Sequence, residues 1–207
     1  KLELGTIGNN DTRLVFAGGY GPSAYYNVIE YITIASTGNS TDFGDLTTVR
    51  HALSTGQIGN TIRGLNASGY NNSASATLNV IEYITIPSTG NSRDFGDLTA
   101  TAVAVAACSS STRGVFMGGR SGIAGGDSNR NVIQYVTIVS GGNAADFGDL
   151  NVSVFRSQSV SNSTKGLNAG GSTDGGGTQT NVIDQITIAS TGNATDFADL
   201  ATAVSAG

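Results

Sequence analysis

The sequence predicts an all-β fold built from four copies of one four-stranded antiparallel unit. Three observations carry that prediction. An eight-residue run, NVIEYITI at 27–34, returns at 79–86, 131–138 and 181–188, with starts 52, 52 and 50 residues apart. Each copy is followed by the same ending: DFGDL at 42–46, 94–98 and 146–150, and DFADL at 196–200. Between these blocks lie turn residues, with 30 Gly against 2 Pro, so the strands are short and regularly punctuated. A fixed period near 50 marks a repeat architecture, in which each unit buries its faces against its neighbours.

Each unit can be read in order from its basic residue, Arg13, Arg63, Arg113 or Lys165. A short apolar run follows and ends in Gly18-Gly19, Ser68-Gly69, Gly118-Gly119 or Gly170-Gly171. Five residues and a tight exit suit a buried strand, here called b. A loop rich in Gly, Ser, Asn and Tyr comes next. The NVIEYITI run is then strand c: it alternates Val28, Glu30, Ile32 and Ile34 on one face with Ile29, Tyr31 and Thr33 on the other. A turn of the STGNS type leads to a short outer strand d at Asp42-Phe43-Gly44-Asp45-Leu46 and its counterparts. The small and β-branched stretches 48–57, 100–109 and 152–160 are expected to form a crowded innermost strand, a. The alanines of 99–107 favour helix, but the equivalent stretches of the other units do not.

Four-stranded units at this period are what a β-propeller requires. The expected blades are 1–46, 47–98, 99–150 and 151–200, with 201–207 as a closing segment in one domain. Counting from Lys165 to Gly207 and on from Lys1 to Arg13 gives 55 residues, close to one further period. The expectation is therefore a ring closed by pairing of the N- and C-terminal segments, with 205–207 and 1–3 competing for one place. A fragment of a larger ring, or chains assembled edge to edge, is the alternative.

The order basic residue, apolar run, Gly-Gly, loop, N-V-I-E-Y, turn, T-x-D-F-x-D-L resembles the kelch repeat. In that family a glycine pair ends one strand, an aromatic sits in the next, and a Trp follows a Thr-Asn turn. Ser68-Gly69 departs from the pair by one residue. Tyr31, Tyr83 and Tyr135 match the aromatic and Gln185 does not, while Phe43, Phe95, Phe147 and Phe197 stand where Trp is expected. The resemblance covers nearly the whole chain and implies a propeller. Short arrays of this Gly/Ser/Thr/Asn-rich kind also resemble those of bacteriophage virion and tail-fibre proteins.

Composition narrows the function. The net charge of −5, with no basic stripe, argues against nucleic acid as partner. Apolar runs fall far short of the ~18 residues of a membrane span. Cys108 is the single cysteine, so no intrachain disulfide exists, and it reads as a small buried residue. His51 is the single histidine. It makes no zinc site and no Cys-His dyad, and it cannot supply the Tyr, His and Cys copper site of kelch-like oxidases. The Gly-rich stretch 118–126 lacks the Gly-Lys-Ser/Thr of a phosphate loop. Of 15 acidic residues, 11 fall at repeat positions, which serve the unit rather than one active site. Asp42, Asp94, Asp146 and Asp196 are expected to accept turn amides or pair with Arg13, Arg63, Arg113 and Lys165. A calcium reading of Asn39, Asp42 and Asp45 does not fit EF-hand spacing. No catalytic residue, metal or cofactor is expected, and the chain is read as a non-enzyme.

The b–c loop, unlike the turn after strand c, differs in every unit. Scaffold residues repeat because the geometry repeats, and loops are free to specialise. Tyr20, Tyr25, Tyr26, Tyr70, Asn71, Asn72, Arg120, Asp127 and Arg130 are therefore the ligand-contact candidates. Tyr with Asn and Asp suits a carbohydrate or protein surface. The expected function is a binding or structural module of a virion or extracellular appendage. It would contact other virion proteins, a host-surface glycan or protein, or further copies of itself. An intracellular kelch-like adaptor gripping a partner's peptide is the alternative.

Overall fold

The computed structural model describes residues 3–10, 12–124, 127–175 and 177–205, and they contain strands and no helix. The first blade is β1 (Glu3–Asn9), β2 (Arg13–Tyr20), β3 (Tyr25–Thr33) and β4 (Thr41–Asp45). The second is β5 (Ile58–Gly59), β6 (Arg63–Ala67), β9 (Val80–Thr85) and β10 (Arg93–Asp97), with a ribbon of β7 (Tyr70–Asn71) and β8 (Ala76–Thr77) in its b–c loop. The third is β11 (Ala106–Ser109), β12 (Arg113–Met117), β13 (Arg130–Thr137) and β14 (Ala145–Val154). The fourth is β15 (Gln158–Ser161), β16 (Lys165–Ala169), β17 (Val182–Thr187) and β18 (Thr195–Asp199). Every sheet is antiparallel and up-and-down, so the four-blade β-propeller is as the repeat predicts.

The a–b turns have one chemical cause. Asn10, Asn60 and Asn162 each turn a side-chain oxygen onto the backbone N–H of Arg13, Arg63 and Lys165, at 2.7, 2.8 and 2.8 Å. Ser110 does the same for Arg113 at 3.2 Å.

The blades stack through strand c. In the second and third blades one face of the c strand packs on the preceding blade and the other on the following one, while the first and fourth blades pack through one face each. Val15, Ile29, Phe43 and Leu46 thus meet Ile84 and Ile86 in the first seam. Leu65, Ile81 and Phe95 meet Val136 and Ile138 in the second, and Val115, Ile133 and Phe147 meet Ile186 and Ile188 in the third. Backbone bonds cross each seam at the outer edge: Gly90, Gly142 and Gly192 N–H donate to the carbonyls of Phe43, Phe95 and Phe147, each at 2.7 Å. Burial of this apolar surface is the main stabilising term.

Two expectations are corrected. Strand a is shorter and later than 48–57, 100–109 and 152–160. The first halves lie mostly in a crossing between one blade's outer strand and the inner strand of the next blade. It turns at Ala52, Ala104 and Arg156, all with φ of 50–56°, and bridges the next blade at His51–Tyr70, Val103–Arg120 and Phe155–Ser172. The ring is also not closed by pairing of the terminal segments among the described residues. β1 fills the a position of the first blade and pairs with β2. Each glycine exit holds the crossing of its own unit: Gly19 N–H donates to Arg50, Gly69 to Ala102, Gly119 to Val154 and Gly171 to Val204. Residues 201–205 are therefore held at the fourth blade. The expected contest between 1–3 and 205–207 involves residues 1, 2, 206 and 207, which lie outside the described residues.

Ser68 occupies a left-handed position, φ 65°, that its counterparts Gly18, Gly118 and Gly170 fill without strain. Its hydroxyl is buried with no hydrogen-bond partner among the described residues. Ser68→Gly removes both penalties, so we expect it to raise unfolding stability by about 1 kcal/mol, read as an increased urea midpoint.

Candidate functional site

The b–c loops and the crossings share one end of the blades, because each crossing bridges the loop of the next unit. On blades 1 and 2 they assemble an aromatic ladder. Tyr20 and Tyr25 are register partners across β2 and β3, and their rings lie 4.7 Å apart. Tyr25 lies 4.7 Å from His51, and His51 meets Tyr70 edge-on at 5.8 Å. The His51 ring is fixed between them because its backbone exchanges two hydrogen bonds with Tyr70, at 3.2 and 2.8 Å. Tyr26 lies over Gly21, where a Cβ would come within 2.7 Å of its ring, and is exposed. The four ladder rings are half-buried, so they offer edges and hydroxyls rather than a closed pocket.

The other candidates fall into two groups. Asn71 accepts the Ala74 N–H at 3.1 Å, and Asn72 closes the same turn through its carbonyl. Asp127 accepts from the Ala124 N–H and the Ser121 hydroxyl, and Arg120 donates to the carbonyls of Asp127 and Ala124. The Asn71, Asp127 and Arg120 side chains thus order their own loops. Arg120 also lies 5.3 Å from the Phe155 ring, as does Arg156 on the same ring, so blades 3 and 4 carry a cationic counterpart to the ladder. Arg130 starts β13, with its Nε buried and without a hydrogen-bond partner among the described residues.

His51, Phe155 and Arg156 were not among the candidates. The signal was present: His51, Val103 and Phe155 occupy one repeat position, differ in every unit, and would have been selected by the criterion applied to the loops.

The framework differs from expectation. Arg13, Arg63 and Arg113 do not pair with the repeated aspartates. They stack on Tyr31, Tyr83 and Tyr135 at 4.5, 4.8 and 4.2 Å and donate to the carbonyls of Ile86, Ile138 and Ile188 on the next blade, each at 3.0 Å. The reason is the pleat. Asp42 pairs in register with Glu30 and shares its face, whereas Arg13 shares the opposite face with Tyr31. Asn91, Asn143 and Asn193, counterparts of Asn39, turn their side-chain oxygens onto the N–H of Asp45, Asp97 and Asp149 of the preceding blade. Cys108 is buried in the third seam, and burial pushes its thiol up to about 12, so it is unreactive. Among the described residues, no three His, Cys, Asp or Glu side chains come together as a metal-holding group.

No family model matches the chain, and no curated protein matches it. Solved structures do match. One, titled "Structure of YjhT", a kelch-type β-propeller, superposes with a TM-score of 0.76 at 10% sequence identity. The match covers 99% of this chain and 66% of that one, so the chain spans about two thirds of its length. At this identity the likeness is one of fold alone, a four-blade β-propeller. No helix of the described residues is long and apolar enough to cross a membrane.

Proposed function

We propose that the protein is a non-enzymatic binding module of a virion, tail fibre or other extracellular appendage, presenting its b–c loop end to a glycan on a host surface. The observation that carries this reading is the Tyr20–Tyr25–His51–Tyr70 ladder. Aromatic rings present apolar surface to the C–H faces of a sugar, and Tyr hydroxyls supply the polar handle at their rim. The sharing of the ladder between two blades, with the crossing holding His51 in place, means that the surface is ordered before a ligand arrives, which limits the entropy lost on binding.

Binding to a glycan array tests the reading. Tyr25→Ala and Tyr70→Ala are expected to weaken the best signal about tenfold or more, as removal of an aromatic anchor does. Asn72→Ala, at an exposed turn, should leave it within about twofold. Unchanged binding in both tyrosine variants would remove the site. A turnover abolished by His51→Ala would overturn the non-enzymatic reading.

A further inference from the structure

We propose that the open face of the fourth blade docks the open face of the first blade of a second copy of this chain, head to tail. The two faces are the halves of one seam. Phe43, Phe95 and Phe147 are buried by the following blade, but Phe197 at the same position is 55% exposed. Ile86, Ile138 and Ile188 are buried by the preceding blade, but Ile34 is 54% exposed. Against the fourth blade lies a groove of about 360 Å³ whose walls include Val160, Leu167, Gln185 and Phe197.

The groups that bind each internal seam recur on these faces. The next bonds in the series would join the Gly38 N–H to the Phe197 carbonyl and the Asp199 N–H to the Asn39 side chain. Lys165, which now donates to Thr187 at 3.0 Å, stands where arginines reach the isoleucine carbonyl of the next blade, here Ile34.

Two departures from the repeat select this occupant. At the inner edge of every internal seam the strand-b residue is glycine. A Cβ there would come 2.3 Å from the Ile7 carbonyl at Gly64, 2.7 Å from Ile58 at Gly114 and 2.7 Å from the Cys108 sulfur at Gly166. The first blade carries Leu14 instead, and the residue it would face is Val160. At the outer edge, Gly44, Gly96 and Gly148 lie against the glycine of the next turn, with 2.5, 2.5 and 2.4 Å to its nearest backbone atom for an added Cβ. The fourth blade carries Ala198 there. Ala198 therefore demands a wider seam than a unit of the internal kind would form, and Leu14 supplies the side chain that fills a wider one. Both enlargements fall on the same pair of faces. Ala201 replaces the Thr47, Thr99 and Asn151 that grip Glu82, Gln134 and Asp184 across the internal seams. The new seam thus rests on apolar and backbone contacts and is reversible. Because the two faces differ, the contact is heterologous and propagates as a ring or a filament. It would set several loop ends side by side, which multiplies weak binding.

Sedimentation velocity and light scattering test this with the whole chain. The protein is expected to show concentration-dependent species at integer multiples of the protomer mass. Ile34→Lys and Phe197→Lys, both at exposed positions, should each be monomeric with unchanged circular dichroism and urea midpoint. Mixed in equal amounts, they should form a two-protomer species and nothing larger, since one intact face remains on each. A protein that stays monomeric at all concentrations overturns the proposal, and that result is expected if the faces take a different occupant. Single variants that assemble like the parent, or a mixture without the two-protomer species, overturn it equally.

Discussion

Glu82→Ala is expected to lower unfolding stability by about 3–5 kcal/mol, the cost of leaving a buried charge without its partner. Arg50 and Glu82 are both fully buried in the first seam, 3.1 Å apart. Glu82 also accepts from Thr47 and from Ser92, the latter at 2.8 Å. Arg50 has no comparable support: among the described residues its guanidinium nitrogens make no hydrogen bond beyond the ion pair. Burial lowers its pKa and Glu82 raises it, so the carboxylate is what holds the charge in place. The repeat supplies the control. The Arg50 position is Ala102 and Val154 in the next two units, and Glu82 is matched by Gln134 and Asp184. Those seams form without an ion pair. Arg50→Val combined with Glu82→Gln should therefore recover most of the loss, with a coupling of about 2 kcal/mol or more in a double-mutant cycle by urea denaturation. A cost below about 1 kcal/mol for Glu82→Ala would mean that water reaches Arg50.

Phe95→Ala and Phe197→Ala make the same chemical change at the same repeat position and should differ strongly. Phe95 is 5% exposed, packs edge-on against Tyr83 at 6.1 Å and contributes to the second seam. Its truncation should cost about 3–4 kcal/mol. Phe197 is more than half exposed, and Gln185 stands where Tyr would meet it, so its truncation should cost less than about 1 kcal/mol in dilute protein. Thermal unfolding of the two variants side by side reads the difference. Equal costs would mean that the fourth blade is covered as the second is.

The strands and their alternation were legible because both come from local pattern. Val28 to Ile34 alternates with the period of a pleated strand, and the turn residues repeat at fixed offsets. The direction of Arg13 was not legible. A spacing does not say on which face of a sheet a side chain stands until register pairs it with Tyr31 and sets Asp42 beside Glu30. Whether the terminal segments pair was not legible either: counting residues gives a near-whole number of units, but strand pairing between the chain's two ends is a non-local fact, and the described residues show β1 paired with β2 alone. Within the candidate site, loop variability singles out Tyr20, Tyr25 and Tyr70, and their rings lie along one ladder with His51. His51 was missed because the crossing was read as part of an inner strand. The roles of Asn71 and Asp127 in ordering their own turns could have been expected from the turn chemistry of Asn and Asp.

The seams themselves are most directly tested by amide hydrogen exchange at four equivalent glycines, in the Ile34→Lys protein at neutral pH. Gly90, Gly142 and Gly192 lie in exposed turns, and the seam bond to the preceding blade is what should slow their exchange. Gly38 occupies the same turn of the first blade, and among the described residues no blade stacks before it. Strong protection at the first three, with exchange near the free-peptide rate at Gly38, is the expected result. Free exchange at all four, or protection at Gly38 equal to the others, would contradict an array of four blades joined by three seams.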